Sequence, residues 1–340
     1  MKQKVAIALS GGIDSLLAGH LLKQSGTDLF GIHFITGYEK ERKNISFVSK
    51  QLDIPIQQVD LSDGFEKRVV SYFVSTYLAG KTPNPCVMCN KAIKFGALWE
   101  AARTFGADRI ATGHYAITSP DRHGRTRLFK GVDSQKEQSY FLSMLSPDLL
   151  AKGVFPLGRY TKSEVKKTAL TENLEPVEKK ESQDICFIHH GDAGRFIAWK
   201  TGITETKGDI VKSDGTVMGE HDGVFKFTVG QRRKINCPGP EPYYVKTIDP
   251  RNNTLVIGTR DEILKKSFYI DSFNRISSDL EFPFRAVTKI RYNHPGARSI
   301  VVKEGERYKV EFEEPQHAVA PGQTAVFYKN NEVLGGGIIQ

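Results

Sequence analysis

Cysteine is scarce in this 340-residue chain, which has four, and no apolar run approaches the roughly 20 residues of a membrane-spanning helix. Four cysteines do not form a disulfide framework, so a reducing cytoplasm and no membrane partner are expected. The apolar N-terminus runs straight into Gly-Gly without a cleavage-type tail, which predicts a first strand rather than a secretion signal. In that compartment, paired cysteines are more often catalytic or metal-binding than structural.

Charge and length point to a multidomain protein with a polyanionic partner. The chain is 39% hydrophobic and 26% charged, which is typical of a globular protein of two or three domains. A net charge of +9 favours nucleic acid as the partner, although a merely basic soluble protein would carry the same charge. Basic residues cluster in two places, at Arg122, Arg125, Arg127 and Lys130 and at Arg232, Arg233 and Lys234.

The first third of the chain alternates short apolar runs with amphipathic stretches. This pattern predicts βα units, and therefore an α/β domain with a parallel sheet whose ligands bind beyond the carboxyl ends of the strands. The predicted strands are 5–9, 29–35, 54–61 and 108–112. The predicted helices are 14–23, 39–52, 65–78 and 91–105.

From about residue 196 the pattern changes to short alternating segments separated by turn residues, which predicts β structure. The predicted segments are 223–229, 243–248, 254–257, 284–290, 299–302, 308–312 and 325–328. We predict three domains: residues 1–195 as the α/β catalytic domain, 196–260 as a small central mainly-β domain, and 261–340 as a C-terminal β-barrel.

The exit of the first strand is a candidate anion site. Ser10, Gly11, Gly12, Ile13, Asp14 and Ser15 join that strand directly to a helix. Glycines let the backbone approach a ligand, and the turn and helix amides form a cradle for phosphate. The segment is neither a Walker A loop nor a dinucleotide turn. The alternative is a tight connection in which Asp14 only caps the helix.

A second candidate site contains two of the four cysteines. Cys86 and Cys89 follow Thr82-Pro-Asn-Pro and precede the basic segment Asn90-Lys-Ala-Ile-Lys-Phe95. A Cys-x-x-Cys pair can hold a metal, cycle as a disulfide or carry sulfur. The residues alone leave these three chemistries open.

Together these motifs resemble a known family. Ser-Gly-Gly-x-Asp-Ser after the first strand resembles the pyrophosphate loop of the ATP-pyrophosphatase superfamily, and residues 82–95 resemble the tRNA 2-thiouridylase family. The segments 111–116, 136–142, 184–188, 227–232 and 320–323 match that family in order. The resemblance spans nearly the whole chain. It implies a pyrophosphate-loop fold of the adenine-nucleotide α-hydrolase type, followed by a central domain and a tRNA-binding barrel.

The resemblance also implies a reaction. ATP, with Mg²⁺, would adenylate the C2 oxygen of a uridine, and sulfur would then displace AMP. In the family, the persulfide carrier matches Cys186 and the catalytic cysteine matches Cys89, with Asp14 as a further catalytic residue that helps hold Mg²⁺ or orient pyrophosphate. The implied nucleotide-binding residues are Ala8, Ser10, Gly11, Gly12, Asp14, Ser15, Phe34 and Gly113.

The implied macromolecular partners are a tRNA anticodon stem-loop and a sulfur donor, which is either a persulfide carrier or inorganic sulfide. Splayed anticodon bases would stack on aromatic or arginine planes. The implied tRNA-binding residues are Asn84, His114, Lys136, Glu137, Gln138, Arg291, Tyr292 and Gln323.

Cys86 departs from the family, which commonly has aspartate at this position. Three thiols, Cys86, Cys89 and Cys186, would then meet at one site and suit a 4Fe-4S cluster with one open iron. The alternatives are a persulfide relay and a zinc site completed by Cys237, His189 or His190.

Two other functions remain open from the sequence. The first is another pyrophosphate-loop tRNA thiolase that makes 4-thiouridine or 2-thiocytidine. The second belongs to a different class, a non-catalytic RNA-binding protein with a relic loop. The intact Ser-Gly-Gly-Ile-Asp-Ser segment and the three motif cysteines favour an enzyme.

Overall fold

The computed structural model describes residues 3–39, 44–178, 185–189 and 192–340. The chain begins with alternating strands and helices: β1 Lys4–Ala8, α1 Ile13–Gln24, β2 Asp28–Ile35, α2 Ile45–Leu52 and β3 Ile56–Asp60. These strands pair in parallel. The apolar strands β1 and β2 are mostly buried, as expected of strands covered on both faces, whereas the edge strand β3 is half-exposed. The start of the predicted helix 39–52 lies partly outside the described residues.

A helical layer follows, and it is less regular than the sequence predicts. Its members are α3 Ser62–Phe65, a π-helical turn Glu66–Val70, α4 Ser71–Leu78, α5 Pro85–Cys89, a second π segment Asn90–Ala97 and α6 Leu98–Thr104. The predicted helix 91–105 therefore begins earlier, at Pro85, where proline at the first turn is compatible with helix geometry. π segments inside α-helices are uncommon and occur often at functional sites.

The parallel sheet is completed by two later strands. The elements of this part are β4 Arg109–Ala111, β5 Ala116–Pro120, β6 Thr126–Lys130, α7 Ser139–Leu142, α8 Pro147–Lys152, β7 Gly153–Val154, a 3-10 turn Pro156–Arg159 and α9 Lys162–Thr171. The strand order is β3-β2-β1-β4-β7, which places the ends of β1 and β4 side by side. The loops that follow these two strands, 9–12 and 112–115, therefore meet at one edge.

The central part of the chain is a small four-stranded sheet in the order β10-β11-β8-β9. Its elements are α10 Ala193–Thr201, β8 Gly208–Lys212, β9 Val217–His221, a 3-10 turn Val224–Lys226, β10 Tyr244–Asp249 and β11 Thr254–Gly258. The strand predicted at 223–229 is wrong, because Val224–Lys226 form the 3-10 turn and pack Val224, Phe225 and Phe227 inward.

The C-terminal part forms a large antiparallel sheet. Its elements are a 3-10 turn Asp261–Ile263, β12 Leu264–Ile270, β13 Asn274–Arg275, β14 Phe284–Lys289, β15 Ala297–Glu304, β16 Arg307–His317, β17 Thr324–Lys329 and β18 Glu332–Ile338. The order is β12-β16-β15-β14-β17-β18-β6-β5, with β13 beside β18. Its core contains Phe268, Ile270, Val310, Phe312 and Phe327. None of the described helices is long and apolar enough to cross a membrane.

The β5–β6 hairpin links the first and last parts of the chain, and the sequence did not predict it. Strand β6 pairs with β18, with Phe129 opposite Glu332 and Leu128 opposite Val333. Leu128 and Val333 are both fully buried in a core shared with the helices of the α/β domain. The hairpin from residues 116–130 is thus a structural part of the C-terminal sheet.

Half of the first predicted basic cluster is neutralised within the protein. Arg127 donates to Glu332 at 2.9 Å and to Asp279 at 2.7 Å, and Arg125 donates to Asp279 at 2.6 Å. Asp121 accepts from Arg125 as well, and its pKa is lowered by these hydrogen bonds and by the arginine charge despite the opposing effect of burial. These two arginines fasten the hairpin to Asp279 and Glu332.

Candidate active site

The loop after β1 has the geometry of an anion cradle. Gly11 has a φ of +89°, in the left-handed region that favours glycine, and Gly12 begins the 12-residue helix α1 without a side-chain cap. Ser10 and Ser15 hydroxyls lie 3.2 Å apart, and the Ser10 hydroxyl accepts from the Gly12 amide at 3.4 Å. The amides at the start of α1 carry its positive dipole end and favour a bound phosphate. Ala8, also predicted here, is the buried last residue of β1.

Asp14 does not act as a simple helix cap. Its carboxylate accepts from Lys162 Nζ at 2.7 and 2.8 Å and from the Tyr115 hydroxyl at 2.7 Å. The Lys162 side chain is 10% exposed and that of Asp14 is 30% exposed, so the ion pair opens to solvent mainly on the Asp14 side. The arrangement sets one ammonium and one carboxylate beside the phosphate cradle.

Gly113 closes the other side of this cradle, at the end of β4. A Cβ atom there would lie 2.8 Å from the Asp14 carbonyl carbon and 2.9 Å from the Ser15 amide nitrogen. Such approaches are shorter than real Cβ contacts allow, so only glycine fits. Gly113 therefore packs directly against the backbone at Asp14 and Ser15, and its predicted role in binding ATP stays a prediction.

Lys162 and Tyr115 are site residues that the sequence analysis missed. Lys162 is in the first turn of α9, whose N-terminus is closed by a capping box between Thr161 and Glu164. A lysine at this position is unfavourable, because its charge is repelled by the positive end of the helix dipole. This position was the signal in the sequence that the ammonium group interacts with a partner elsewhere. The Lys162 amide also donates to Asp133 at 2.7 Å, which fixes the start of α9 against the loop at 133.

The cysteine pair is presented by the short helix α5. Asn84 caps this helix by accepting from the Val87 amide at 3.2 Å. Cys86 and Cys89 are three residues apart and share one helix face. Both thiols interact electrostatically with Cys186, which the far loop before α10 contributes. The structure thus brings together the three cysteines that the resemblance singled out.

The two thiols of α5 are protonated at rest. Cys86 is solvent-accessible but is surrounded by protein, as expected in a cleft. The surrounding protein and the nearby Cys186 together raise the pKa of the Cys86 thiol to about 11. Burial likewise raises the pKa of Cys89 to about 12, although the Lys94 ammonium acts in the opposite direction. Because the thiolate is the reactive form, both groups are protected from adventitious chemistry at neutral pH.

Lys94 and His114 connect the thiols to the nucleotide loop. Cys89 and Lys94 are five positions apart, so on a regular α-helix their side chains would lie roughly 140° apart around the helix axis. The wider π segment Asn90–Ala97 brings Lys94 toward the face of Cys89. Lys94 also acts on His114, whose pKa is held well below its usual value by burial and then by this ammonium. His114 follows Gly113 directly, and its Nδ1 lies 2.7 Å from the Thr112 hydroxyl. Its imidazole is therefore neutral at pH 7.

The predicted metal site is not formed in this structure. Within residues 3–39, 44–178, 185–189 and 192–340, no three His, Cys, Asp or Glu side chains are grouped so that they could hold a metal ion. The three predicted ligands, Cys86, Cys89 and Cys186, lie near one another, but their side chains are not arranged to bind a metal ion. Cys237 lines a separate cavity of about 560 Å³ in the central domain, and His190 lies outside the described residues.

Comparison with known proteins decides the family. Three family models match in succession: a "tRNA methyl transferase HUP domain" over residues 3–190, a "tRNA methyl transferase PRC-barrel domain" over 196–259 and an "aminomethyltransferase beta-barrel domain" over 265–339. The tRNA-specific 2-thiouridylase MnmA of Desulfosudis oleivorans is 46% identical over 99% of this chain and 94% of its own length. The chain belongs to the tRNA-specific 2-thiouridylase family. The MnmA protein of Geotalea uraniireducens is 42% identical over 100% of this chain and 95% of its own.

Solved structures resemble the chain more loosely. The U34-tRNA thiolase NcsA of Methanococcus maripaludis, solved with its [4Fe-4S] cluster, has 18% identity and a TM-score of 0.35, over 59% of this chain and 64% of its own. A 4-thiouridine synthetase in complex with RNA and ATP has 16% identity and a TM-score of 0.36, over 56% and 45%. Likeness at this level says nothing about whether this chain binds a cluster.

The residues that this thiouridylase family suggests for tRNA are partly engaged inside the protein. Gln138 accepts from the Tyr115 amide at 3.1 Å and donates its own amide to the Tyr115 carbonyl at 2.9 Å. Glu137 is 5% exposed and accepts from the Ser139 amide, whereas Lys136 is half-buried. Gln138 therefore supports Tyr115, whose hydroxyl donates to Asp14.

Arg291 and Tyr292 form a half-buried surface at the end of β14. The Tyr292 ring packs on Phe141 with centroids 4.5 Å apart, and Arg291 donates to the His317 carbonyl at 3.3 Å. Burial lowers the pKa of Arg291. Phe141 also accepts from Asn90, next to Cys89, at 3.1 Å, so this surface is directly linked to the cysteine segment. Phe34 packs between two cores near the end of β2.

Proposed function

We propose that this protein catalyses ATP-dependent 2-thiolation of a uridine in tRNA, at the wobble position, using ATP and Mg²⁺ and releasing AMP and pyrophosphate. The observation that supports it is the continuity of the site. Gly113 packs against the backbone of Asp14 and Ser15 beside the phosphate cradle, His114 follows it in the chain, and the Lys94 ammonium acts on both His114 and the Cys89 thiol. An adenylated base that lies between these groups would have the Cys89 thiol beside it, together with the Cys186 thiol that interacts with Cys89.

The first step is adenylation. The amides of α1 and the Lys162 ammonium hold the phosphates of ATP, and Asp14 is the carboxylate available to a phosphate-bound Mg²⁺, which usually needs only one or two from the protein. The C2 oxygen of uridine attacks the α-phosphorus, and the bond to pyrophosphate breaks. Mg²⁺, when bound, supplies positive charge to the departing pyrophosphate.

The second step is sulfur transfer by a persulfide relay. The terminal sulfur of a Cys186 persulfide attacks C2, and AMP leaves with the former C2 oxygen. The Cys89 thiolate then attacks the Cys186 sulfur, the bond to the transferred sulfur breaks, and 2-thiouridine is released. The product is a Cys89–Cys186 disulfide, which a dithiol reductant must reduce before the next turnover.

The partners follow from this chemistry. A persulfide carrier protein would load Cys186, which is exposed and therefore accessible to it. The anticodon stem-loop of tRNA would contact Arg291, Tyr292 and the segment 136–138, next to Asn84 and His114. Inorganic sulfide remains the alternative donor if Cys86 completes a cluster.

The test of the function is reconstitution with tRNA, ATP, Mg²⁺ and a persulfide donor. We expect AMP formation that depends on tRNA, and 2-thiouridine in the nucleosides of the digested product. Formation of 4-thiouridine or 2-thiocytidine instead would identify another thiolase. RNA binding without AMP under any sulfur supply would show a non-catalytic protein.

Cys86 separates the relay from the cluster. For protein purified without oxygen we expect no stoichiometric iron or sulfide, no brown chromophore, and full activity with a persulfide donor. We expect Cys86→Ala to keep at least about one-tenth of that activity, because Cys86 is not a partner in the relay. Iron and a chromophore that Cys86→Ala removes would instead establish the three-cysteine cluster. Cys237→Ala is the matched control.

A further inference from the structure

The turn formed by residues 320–323, here called the barrel turn, is bonded to the loop of residues 82–85, here called the cysteine loop. The Thr82 amide donates to the Pro321 carbonyl at 2.7 Å. The side-chain amide of Gln323 donates to the Thr82 carbonyl at 3.2 Å and to the Pro83 carbonyl at 3.0 Å. Backbone groups of the loop before Cys86 and Cys89 are thus held by residues about 240 positions away in sequence.

The two segments approach so closely that a side chain cannot lie between them. Gly322 has a φ of +88°, and a Cβ atom there would lie 2.9 Å from the Thr82 oxygen and 3.0 Å from the Thr82 nitrogen. Glycine is therefore required for its conformation and for the contact. The barrel turn fits against the cysteine loop as backbone against backbone.

The cysteine loop depends on this contact because it has few means of holding itself. Pro83 and Pro85 have no amide hydrogen and cannot donate to a local turn. The carbonyl groups of Thr82 and Pro83 therefore need hydrogen-bond donors from elsewhere in the protein when water is excluded. Thr82 and Asn84 are both buried, at 7% and 9% exposure. The barrel turn supplies the missing donors.

The barrel turn is itself fixed in the C-terminal sheet. The Gly322 amide donates to the Ile339 carbonyl at 2.8 Å, and the Ile339 amide donates to the Gln323 carbonyl at 2.9 Å. Directly after the turn, the Thr324 carbonyl accepts from the buried Tyr140 hydroxyl at 2.7 Å. A rigid sheet therefore determines where the cysteine loop lies.

We infer that Gln323 is a positioning residue that sets the place of Cys89 for sulfur transfer, an inference that rests on the proposed function. Both amide hydrogens of Gln323 are taken by the cysteine loop, so only its carbonyl oxygen remains for an RNA contact. The loop runs into α5 through the Asn84 cap, and a shift of the loop therefore moves the catalytic thiol. Reactions between held groups lose about 100-fold in rate for a displacement near 1 Å.

The test compares Gln323→Met, which keeps the length of the side chain but removes its hydrogen bonds, with Gln316→Met. Gln316 lies in β16 and bonds to the Glu314 carbonyl of its own strand and to His294, neither of which lies in the cysteine loop, so it controls for the loss of glutamine hydrogen bonds within the C-terminal sheet. We expect Gln323→Met to lower kcat for 2-thiouridine formation by about 10- to 100-fold. The KM for tRNA and first-turnover pyrophosphate release should not change. Gly322→Ala should lower kcat in the same way.

Hydrogen–deuterium exchange gives a readout that does not need activity. The peptide covering 82–89 should exchange faster in Gln323→Met and Gly322→Ala than in the wild type or in Gln316→Met, while Tm shows that the fold is kept. A raised KM for tRNA at unchanged kcat, or unchanged exchange in 82–89, would overturn the inference. If the proposed function is wrong, the wild type makes no 2-thiouridine, yet the exchange difference persists.

Discussion

Replacing Cys89 with alanine should reduce first-turnover release of 2-thiouridine, measured without added thiol, to below about one-thousandth of the wild-type rate, because the thiol that releases the product from Cys186 is removed. In the proposed mechanism the Cys186 persulfide still attacks the adenylated base. The base then stays linked to Cys186 through a disulfide, since the thiolate that releases it is missing. We therefore expect about one AMP per enzyme and a covalent enzyme–tRNA adduct when no thiol is added.

The measurement is nucleoside mass spectrometry for 2-thiouridine, with non-reducing gel electrophoresis for the adduct. Dithiothreitol should cleave the disulfide of the adduct and release thiolated tRNA, because it replaces Cys89 as the attacking thiol. Cys237→Ala is the control, since Cys237 lies in the central domain, where its thiol donates to the Met218 and Ile235 carbonyl groups. Release of 2-thiouridine by Cys89→Ala without added thiol would show that the attacking thiol lies elsewhere.

Asp14→Asn should lower kcat/KM for ATP by about 100-fold, equivalent to ~2.7 kcal/mol of transition-state stabilisation. The variant keeps the shape of the side chain but removes the charge that pairs with Lys162 and is available to Mg²⁺. Its new amide hydrogens also point at an ammonium group that needs an acceptor. The loss should appear in pyrophosphate release as well as in thiolation, because adenylation precedes sulfur transfer.

Asp148→Asn is a matched control for this change. Asp148 is also the second residue of a helix, α8, but it is exposed and remote from the phosphate cradle. It should leave the rate unchanged. If Asp14→Asn released pyrophosphate normally, Asp14 would be only a structural partner of Lys162. Thermal unfolding of both variants shows whether the fold survives.

The sequence predicted those parts of the fold that local patterns determine. Four of the five described strands of the parallel sheet lie within about two residues of their predicted bounds, whereas the two-residue strand β7 was not predicted. The loop between β1 and α1 was predicted by its motif, whereas the roles assigned to the cysteines stay predictions. The π segment at Asn90–Ala97 was not, because no residue pattern distinguishes i→i+5 from i→i+4 bonding.

The features that the sequence missed depend on distant partners. Lys162 became meaningful only when folding placed it on Asp14, 148 positions earlier. Arg125 and Arg127 were interpreted as part of a nucleic-acid surface, but they meet Asp279 and Glu332 from the far end of the chain. The domain boundaries at residues 195 and 260 stay a prediction. The β5–β6 hairpin lies in the first part of the sequence but belongs to the C-terminal sheet.

That hairpin has a consequence for how the protein is made. Residues 128 and 129 are synthesised long before 332 and 333, the positions they pair with, so the edge of β6 stays open until the chain is nearly finished. Pairings of such long sequence separation form slowly, and open strand edges invite association with other chains. A fragment ending near residue 260 would keep this edge permanently exposed. The hairpin therefore completes its pairing only after β18 has been synthesised.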